Sequence, residues 1–519
     1  MLHRLRRMIP IAVAALLTVG IATAAAHDCP PCHPDLPGTR TLTVTGAVTS
    51  YSFAGPGTLA VRGAHVARWN YASAPQSTAT VSGHAGSAAA PQKLTAAQGD
   101  RTVRISYAPA GADKADRLDV FDRTTGAKVA SWPLIERPAR VALYDDVAVL
   151  SAAQRGAVYA LRVTDGRIVE IGIARTGDRP IIGRDGVVYQ DDQYLKGVKR
   201  ALAPNHVALK LVPLASIEKQ LAVVTRQVVT PGTISAVGMD GQRVVFAVHD
   251  PKAQCDRVWF WIAPWHFLAP ATHPSGPTCL PQHAPGGITN VAMAGARFIW
   301  TTTYGTTTRV LAQSVIGCNE WVVARPTGTN APVAALAGDG KVLAYALTSG
   351  SVGLVPGGWQ GKVISQSSTQ VAGMSVDSNR IATLYRDGTA TVMSYRGAPI
   401  SSFSVGAASA IAMRGNTVAA LQSGQLAIYN ATTGALAHSW TVPADAQKID
   451  MYYGIALVTT AGGDVLALNV STGHTATLLH AAGPVGAQID APGAVVQFNA
   501  NGHGHVRFIS MSTLEARTS

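Results

Sequence analysis

Apolar and polar residues alternate along most of this chain in runs of about six. Each run is cut off by a glycine or by an Asp-Gly, Thr-Gly or Gly-Gly pair. The stretch 448–480, KIDMYYGIALVTTAGGDVLALNVSTGHTATLLH, holds four such runs. A period of two sends successive side chains to opposite faces, which is the signature of a strand rather than a helix. Four strands of about six residues joined by turns of about four fill roughly 40 residues. The pattern therefore predicts a four-stranded antiparallel meander with two apolar faces.

The meander recurs. Four segments superpose: LDVFDRTTGAKVASW (Leu118 to Trp132), VYALRVTDGRIVEIG (Val158 to Gly172), LAIYNATTGALAHSW (Leu426 to Trp440) and VLALNVSTGHTATLL (Val465 to Leu479). Their turn glycines are Gly126, Gly166, Gly434 and Gly473, spaced 40 apart in the first pair and 39 in the last. A fixed period of this length marks a repeat architecture, in which each unit buries its faces against its neighbours. Weaker copies place Gly397, Gly358, Gly317 and Pro264 at the same turn, and VRFISMSTLEARTS falls in register at the end. Seven copies thus lie between about residue 232 and Ser519. Upstream, blades are expected at about 97–137 and 138–176, and a looser one ends near Leu221 in a helix-like SIEKQL that matches STLEAR at the chain's end. Residues 41–96 read as further strands, and 71–92 as a small, polar surface loop. Whether the N-terminal blades form their own ring is open at this level.

The strand–Thr-Gly–strand segments resemble the blades of β-propellers, especially pyrroloquinoline-quinone-type and WD-repeat-like ones, over most of residues 97–519. The resemblance implies an all-β propeller of four-stranded blades, seven-bladed in the C-terminal part. The implied domains are a 27–40 Cys/Pro-rich segment, N-terminal β-blades at 41–231 and a seven-repeat propeller at 232–519. It implies little about activity, because propellers host many.

Composition supports a large core. Of 519 residues, 47% are apolar and 14% charged, and the 51 glycines and 29 prolines suit many short turns. Residues 1–26 carry Arg4, Arg6 and Arg7, then an apolar run, then AAA ending at Ala26. That is the order of a cleaved secretory signal. No later stretch approaches the roughly 18 apolar residues that span a bilayer. The expected location is therefore secreted or extracytoplasmic, periplasmic or extracellular. The net charge of +13 comes from scattered basic residues with no run or stripe, which argues against nucleic-acid binding.

Candidate chemistry is sparse. HDCPPCH (His27 to His33) matches a c-type haem attachment pattern, but strand-like sequence follows it and no helical domain is present to enclose a haem. A local Cys29–Cys32 disulfide, or pairing that uses Cys318, is the expectation instead. Outside the cytoplasm Cys255 and Cys279 are expected to pair across a Pro-rich excursion, with Cys318 as competitor. Trp259 and Trp261 share a strand face and read as blade core. Trp265, His266 and Phe267 lie beyond the turn and could rim a contact surface. His503 and His505 share a strand face without a third metal ligand nearby. Asn430 and Asn469 match glycosylation sequons inside repeat turns. No adjacent cysteine pair or acidic cluster supports the quinone and calcium sites that the resemblance would allow. The aspartates fall largely in Asp-Gly turns, where geometry accounts for them. No catalytic, metal or cofactor residue is assigned. The expected function is a monomeric, non-catalytic binding or scaffolding module for a protein or an envelope polymer. The alternative is an extracytoplasmic propeller enzyme, either a hydrolase or a quinone-dependent oxidoreductase.

Overall fold

The computed structural model describes residues 35–519, apart from 47, 64, 75, 81–93, 110–114, 153–155, 175–177, 192–205, 251–254, 264–265, 269–286, 296, 305–306, 315–319, 325–331, 341, 356–360 and 378–379. Among the described residues, strands form nine four-stranded sheets, one of five strands and one of three. Short antiparallel runs dominate because alternating sequence is cut every few residues by turn glycines with positive φ. Gly126, Gly166, Gly434 and Gly473 have φ of 70, 71, 72 and 77°.

Seven of the four-stranded sheets, called blades 1 to 7 here, follow one another along the chain. They cover 233–268, 288–324, 333–366, 371–404, 410–441, 446–480 and 486–510. The first strand of each blade lies against the first strand of the next, and that of blade 7 lies against that of blade 1. The result is a closed ring. Burial follows position within a blade. The second strand Ile455–Thr460 is buried throughout, whereas the outer strand Leu436–Thr441 is largely exposed. Blade 7 supplies three strands from the chain's end. Its fourth is Thr225–Val229, which pairs antiparallel with His503–Ser510. A strand from before blade 1 thus closes the ring with backbone hydrogen bonds and leaves no open sheet edge between its ends.

The repeat sequence has a local cause. In DRTTG, NATTG and NVSTG the first side chain accepts hydrogen bonds from the two backbone N–H groups that follow. Asp122 Oδ1 serves Thr124 and Thr125, Asn430 Oδ1 serves Thr432 and Thr433, and Asn469 Oδ1 serves Ser471 and Thr472, at 2.7–3.2 Å. In NATTG and NVSTG the glycine then packs on an aromatic ring of the preceding sheet, whereas a Cβ on Gly126 of DRTTG would meet nothing within 4 Å. A Cβ on Gly473 would stand 2.4 Å from Trp440, and one on Gly166 would stand 2.3 Å from Trp132. Each tryptophan also donates its indole N–H to the next sheet, Trp440 to Val470 O at 2.9 Å and Trp132 to Val163 O at 2.8 Å. The turn glycine and the terminal tryptophan of the repeat are therefore two halves of one inter-sheet joint.

The N-terminal part is a stack rather than a member of this ring. The sheets of 95–133 and 138–173 adjoin through their first strands, and the second also adjoins a five-stranded sheet. That sheet runs in the order 181–183, 186–191, 206–213, 40–45, 76–80. Its last strand lies in the segment expected to be a loop. Gln76–Thr80 pairs in parallel with Arg40–Thr45, because a Thr-rich run can take up the hydrogen bonds of an otherwise bare edge. A three-stranded sheet, Ser50–Gly55, Thr58–Arg62 and Val66–Asn70, covers this layer. Helix α1 (Leu214–Leu221) and helix α2 (Met511–Thr518) form at the two matching segments. The stack and the ring share continuous apolar cores, Val149 and Ile171 with Val258 and Phe260 in one and Leu161 with Leu478 and Leu514 in another. A buried Arg243–Glu170 ion pair joins them, and Gln242 Nε2 donates to Ile168 O at 2.9 Å. No helix among the described residues is long and apolar enough to cross a membrane.

Candidate functional site

In each blade of the ring, the first strand ends in a two-residue hairpin at the same register position. The residues there are Asp240, Ala294, Asp339, Asp377, Arg414, Tyr452 and Asp490. Because the first strands line the axis, these positions converge at one end of it. Asp240, Asp339, Asp377 and Asp490 are all buried. Asp240, Asp339 and Asp490 bring one oxygen each within 4.8 Å of one another. Residues up to 250 positions apart in sequence thus form an acidic cluster. No local feature marks it, since each aspartate looks like an ordinary turn residue. The signal was available only as a register: an Asp or Arg as the last residue of the first strand in five of the seven blades, followed by glycine at Asp240, Asp339 and Arg414 but not at Asp377 or Asp490.

Arg414 sits among these carboxylates. Its two terminal nitrogens each lie 2.9 Å from a carboxylate, Nη1 from Asp339 and Nη2 from Asp490. Its guanidinium also lies 4.8 Å from the centre of the Tyr452 ring and 5.7 Å from that of Tyr453. Blade 5 is thereby tied to blades 3, 6 and 7. The remaining carboxylate oxygens reach backbone N–H groups of other blades. Asp490 accepts from Gly241 at 2.6 Å, Asp240 from Gly295 and from Gly340 (3.1 Å), and Asp377 from Gly415 at 2.9 Å. Asp450, deeper in blade 6, accepts from Ile489 of blade 7 at 2.8 Å. Tyr453 holds a φ of 43°, an unfavourable value for a bulky residue, and its ring closes the cluster beside Tyr452.

The electrostatics follow from burial and from this pairing. Burial alone would weaken Arg414's hold on its proton, but Asp339, Asp490 and Asp377 outweigh it, and the net shift is upward. Burial raises Asp490, with Asp240 and Asp339 adding to the rise and Arg414 opposing it. Burial also raises Asp450, to about 6. The arrangement places the chain's own cation where three carboxylates could otherwise hold a metal ion. What it does chemically is join blades across the axis.

No protein-family model matches this chain, and no curated protein matches it. Its fold is similar to that of WD40 β-propellers. The WD40 β-propeller domain of Doa1 is 12% identical, with 56% of this chain and 98% of that one covered and a TM-score of 0.42. Sqt1 of Saccharomyces cerevisiae is 10% identical over 54% of this chain and 96% of that one, at 0.37. The computationally designed Ika8 protein is 13% identical over 71% and 94%, at 0.33. The propeller architecture rests on the ring of sheets described above.

The residues singled out in the sequence fall elsewhere. Cys255 begins the third strand of blade 1. Cys29, Cys32, Cys279, Cys318 and Trp265 lie outside the described residues, and so do the turns at Gly317, Gly358 and Pro264. His266 and Phe267 belong to the outer strand of blade 1, opposite Ile262 and Trp261. Trp261 is fully buried and Trp259 packs on the core between blades 1 and 7. His503 and His505 serve the ring closure. His503 Nδ1 lies 2.9 Å from Thr230 O, His505 Nδ1 lies 2.9 Å from Gln227 Nε2, and His505 stacks on Phe498.

Proposed function

We propose that this protein is an exported, non-catalytic propeller that binds a partner and holds it in place, acting outside the cytoplasm. The observation that carries this reading is the state of the axial carboxylates. An acid–base pair for hydrolysis needs a carboxyl free to hand a proton to a substrate. Here Asp490, whose carboxyl is the raised one at the hairpin ends, is buried and engaged by Arg414 and by the Gly241 and Ala491 N–H groups. Rigid blades with exposed outer strands and connections suit display of contacts. Export is supported by the basic, then apolar, then small-residue order of Met1 to Ala26. The quinone-type resemblance belongs to this reading as a relation of blade sequence, carrying no cofactor with it.

One observation favours a second reading. Three carboxylates with oxygens within 4.8 Å of one another are the raw material of a hydrolytic or metal-assisted site. Asp339→Asn separates the two. Incubated with isolated envelope polymers, the wild-type protein should bind saturably and release no shortened product, and the variant should bind equally well. Polymer shortening by the wild type that disappears in Asp339→Asn would establish the enzyme.

A further inference from the structure

Among the described residues, nothing covers one face of the three-stranded sheet at 50–70. Its other face packs Tyr51, Leu59, Val61 and Trp69 against Leu42, Val44 and Leu209 of the five-stranded sheet. Alternation turns Ser50, Ser52, Arg62, Val66 and Arg68 outward, and all five are exposed, Val66 at 56%. Register sets Arg62 between Ser50 and Val66 and sets Arg68 opposite Ala60, with Ser52 beyond. The two arginines are therefore diagonal neighbours, a placement that sets residues roughly 7–8 Å apart and their Cβ atoms somewhat closer. Neither side chain makes an ion pair among the described residues, and the surrounding sequence gives it no acid to pair with. Residues 36–99 contain no Asp or Glu, but include Arg40, Arg62, Arg68 and Lys93. The nearby Asp185 and Asp178 are turned to other work, bonded to Tyr71 and to Tyr51.

From this face we infer a docking surface for a linear acidic polysaccharide bearing carboxylates. The inference rests on the binding-module reading above and names its ligand class. Charge complementarity sets the sign of the partner: unpaired guanidinium forks take carboxylates in a bidentate way. Hydroxyls of Ser50 and Ser52 beside them suit the neutral hydroxyls that alternate with acid groups along such a polymer. Size argues against a folded protein partner. Three strands about 4.8 Å apart and five residues long present about 250 Å², well below the roughly 800 Å² per side of a stable protein interface. A repeating polyanion needs no large footprint, because each chain offers many equivalent registers.

The test uses the full mature chain in affinity electrophoresis through gels containing polygalacturonate, neutral dextran or poly-glutamate at low salt. Arg62→Gln/Arg68→Gln should weaken retardation by polygalacturonate at least tenfold. The control Lys362→Gln/Arg396→Gln removes the same two charges from exposed sites on blades 3 and 4, and should change it less than twofold. Retardation should collapse by 0.5 M salt as screening shortens to a few ångströms. An equal loss in both variants, no loss in the first, or absence of wild-type retardation overturns the surface. Equal or tighter binding of poly-glutamate assigns the face to an acidic protein segment and overturns the polysaccharide. Shortening of the polymer would instead count against the non-catalytic reading, independently of which arginines matter.

Discussion

Replacing Arg414 by methionine removes a cation bonded to both Asp339 and Asp490 and nearly preserves the volume beside Tyr452. The side chains of Arg414, Asp339 and Asp490 are only 12%, 8% and 7% exposed, so water cannot take over the lost interaction. Breaking a buried pair from one side costs about 3–5 kcal/mol, because the other charge is left without a partner. A domain of this size loses roughly 2 °C in Tm per kcal/mol, so thermal unfolding should move down by about 6–10 °C. The stranded carboxylates should then hold their protons more tightly in the folded state. A folded pKa raised above the unfolded one gives stability that is present at low pH and lost as pH rises through the folded value. The gap between wild type and Arg414→Met should therefore narrow from pH 8 to pH 5. Combining Asp339→Asn with Arg414→Met should cost less than the sum of the two single changes, with a coupling of about 1–3 kcal/mol. A loss below about 1 kcal/mol with additive behaviour would refute the lock, since even an ordinary hydrogen bond contributes that much.

Further outcomes follow from the same geometry. Gly473→Ala places a Cβ 2.4 Å from the Trp440 ring at a φ of +77°, whereas Gly502→Ala meets nothing within 4 Å at the same φ. Urea midpoints should therefore fall for both, and further for Gly473 by about 1–3 kcal/mol of overpacking. Burial raises Asp178 to about 6. Relative to Asp178→Asn, the wild type should thus lose on the order of 2–3 kcal/mol as pH rises from about 4 to about 6. A flat difference would show that the carboxyl is not buried as described. Glu170→Gln takes the charge from the partner of buried Arg243. It should cost about 3 kcal/mol and raise hydrogen exchange in both the 138–173 sheet and blade 1. Faster exchange in one alone would mean that the stack and the ring are not coupled through this pair.

How much was legible in the sequence depended on how far apart the cooperating residues are. Strands, hairpin turns and the 40-residue unit could be read because each is set within a few residues: alternation chooses the faces, and an Asx or Thr-Gly turn closes each hairpin. The segment 71–92 was misjudged in part because the partner of Gln76–Thr80 is a strand some 35 residues earlier, and an edge strand needs no apolar alternation of its own. The axial cluster was missed for the same reason on a larger scale. Asp240, Asp339 and Asp490 are turn residues by every local rule, and nothing short of the closed ring brings their oxygens together around Arg414.

By itself the sequence determined the building block: a four-stranded meander, its glycine turns and its recurrence along the chain. These are consequences of local sterics and of period-two burial. Only the tertiary structure decided that the copies close on themselves, that Thr225–Val229 completes the last blade, and that the N-terminal sheets stack beside the ring. Only it placed four aspartates and an arginine at one end of the axis, and left Arg62 and Arg68 on a face with no acid opposite among the described residues. Those outcomes depend on which distant faces bury each other, and apolar burial is non-directional: it demands a partner without naming one.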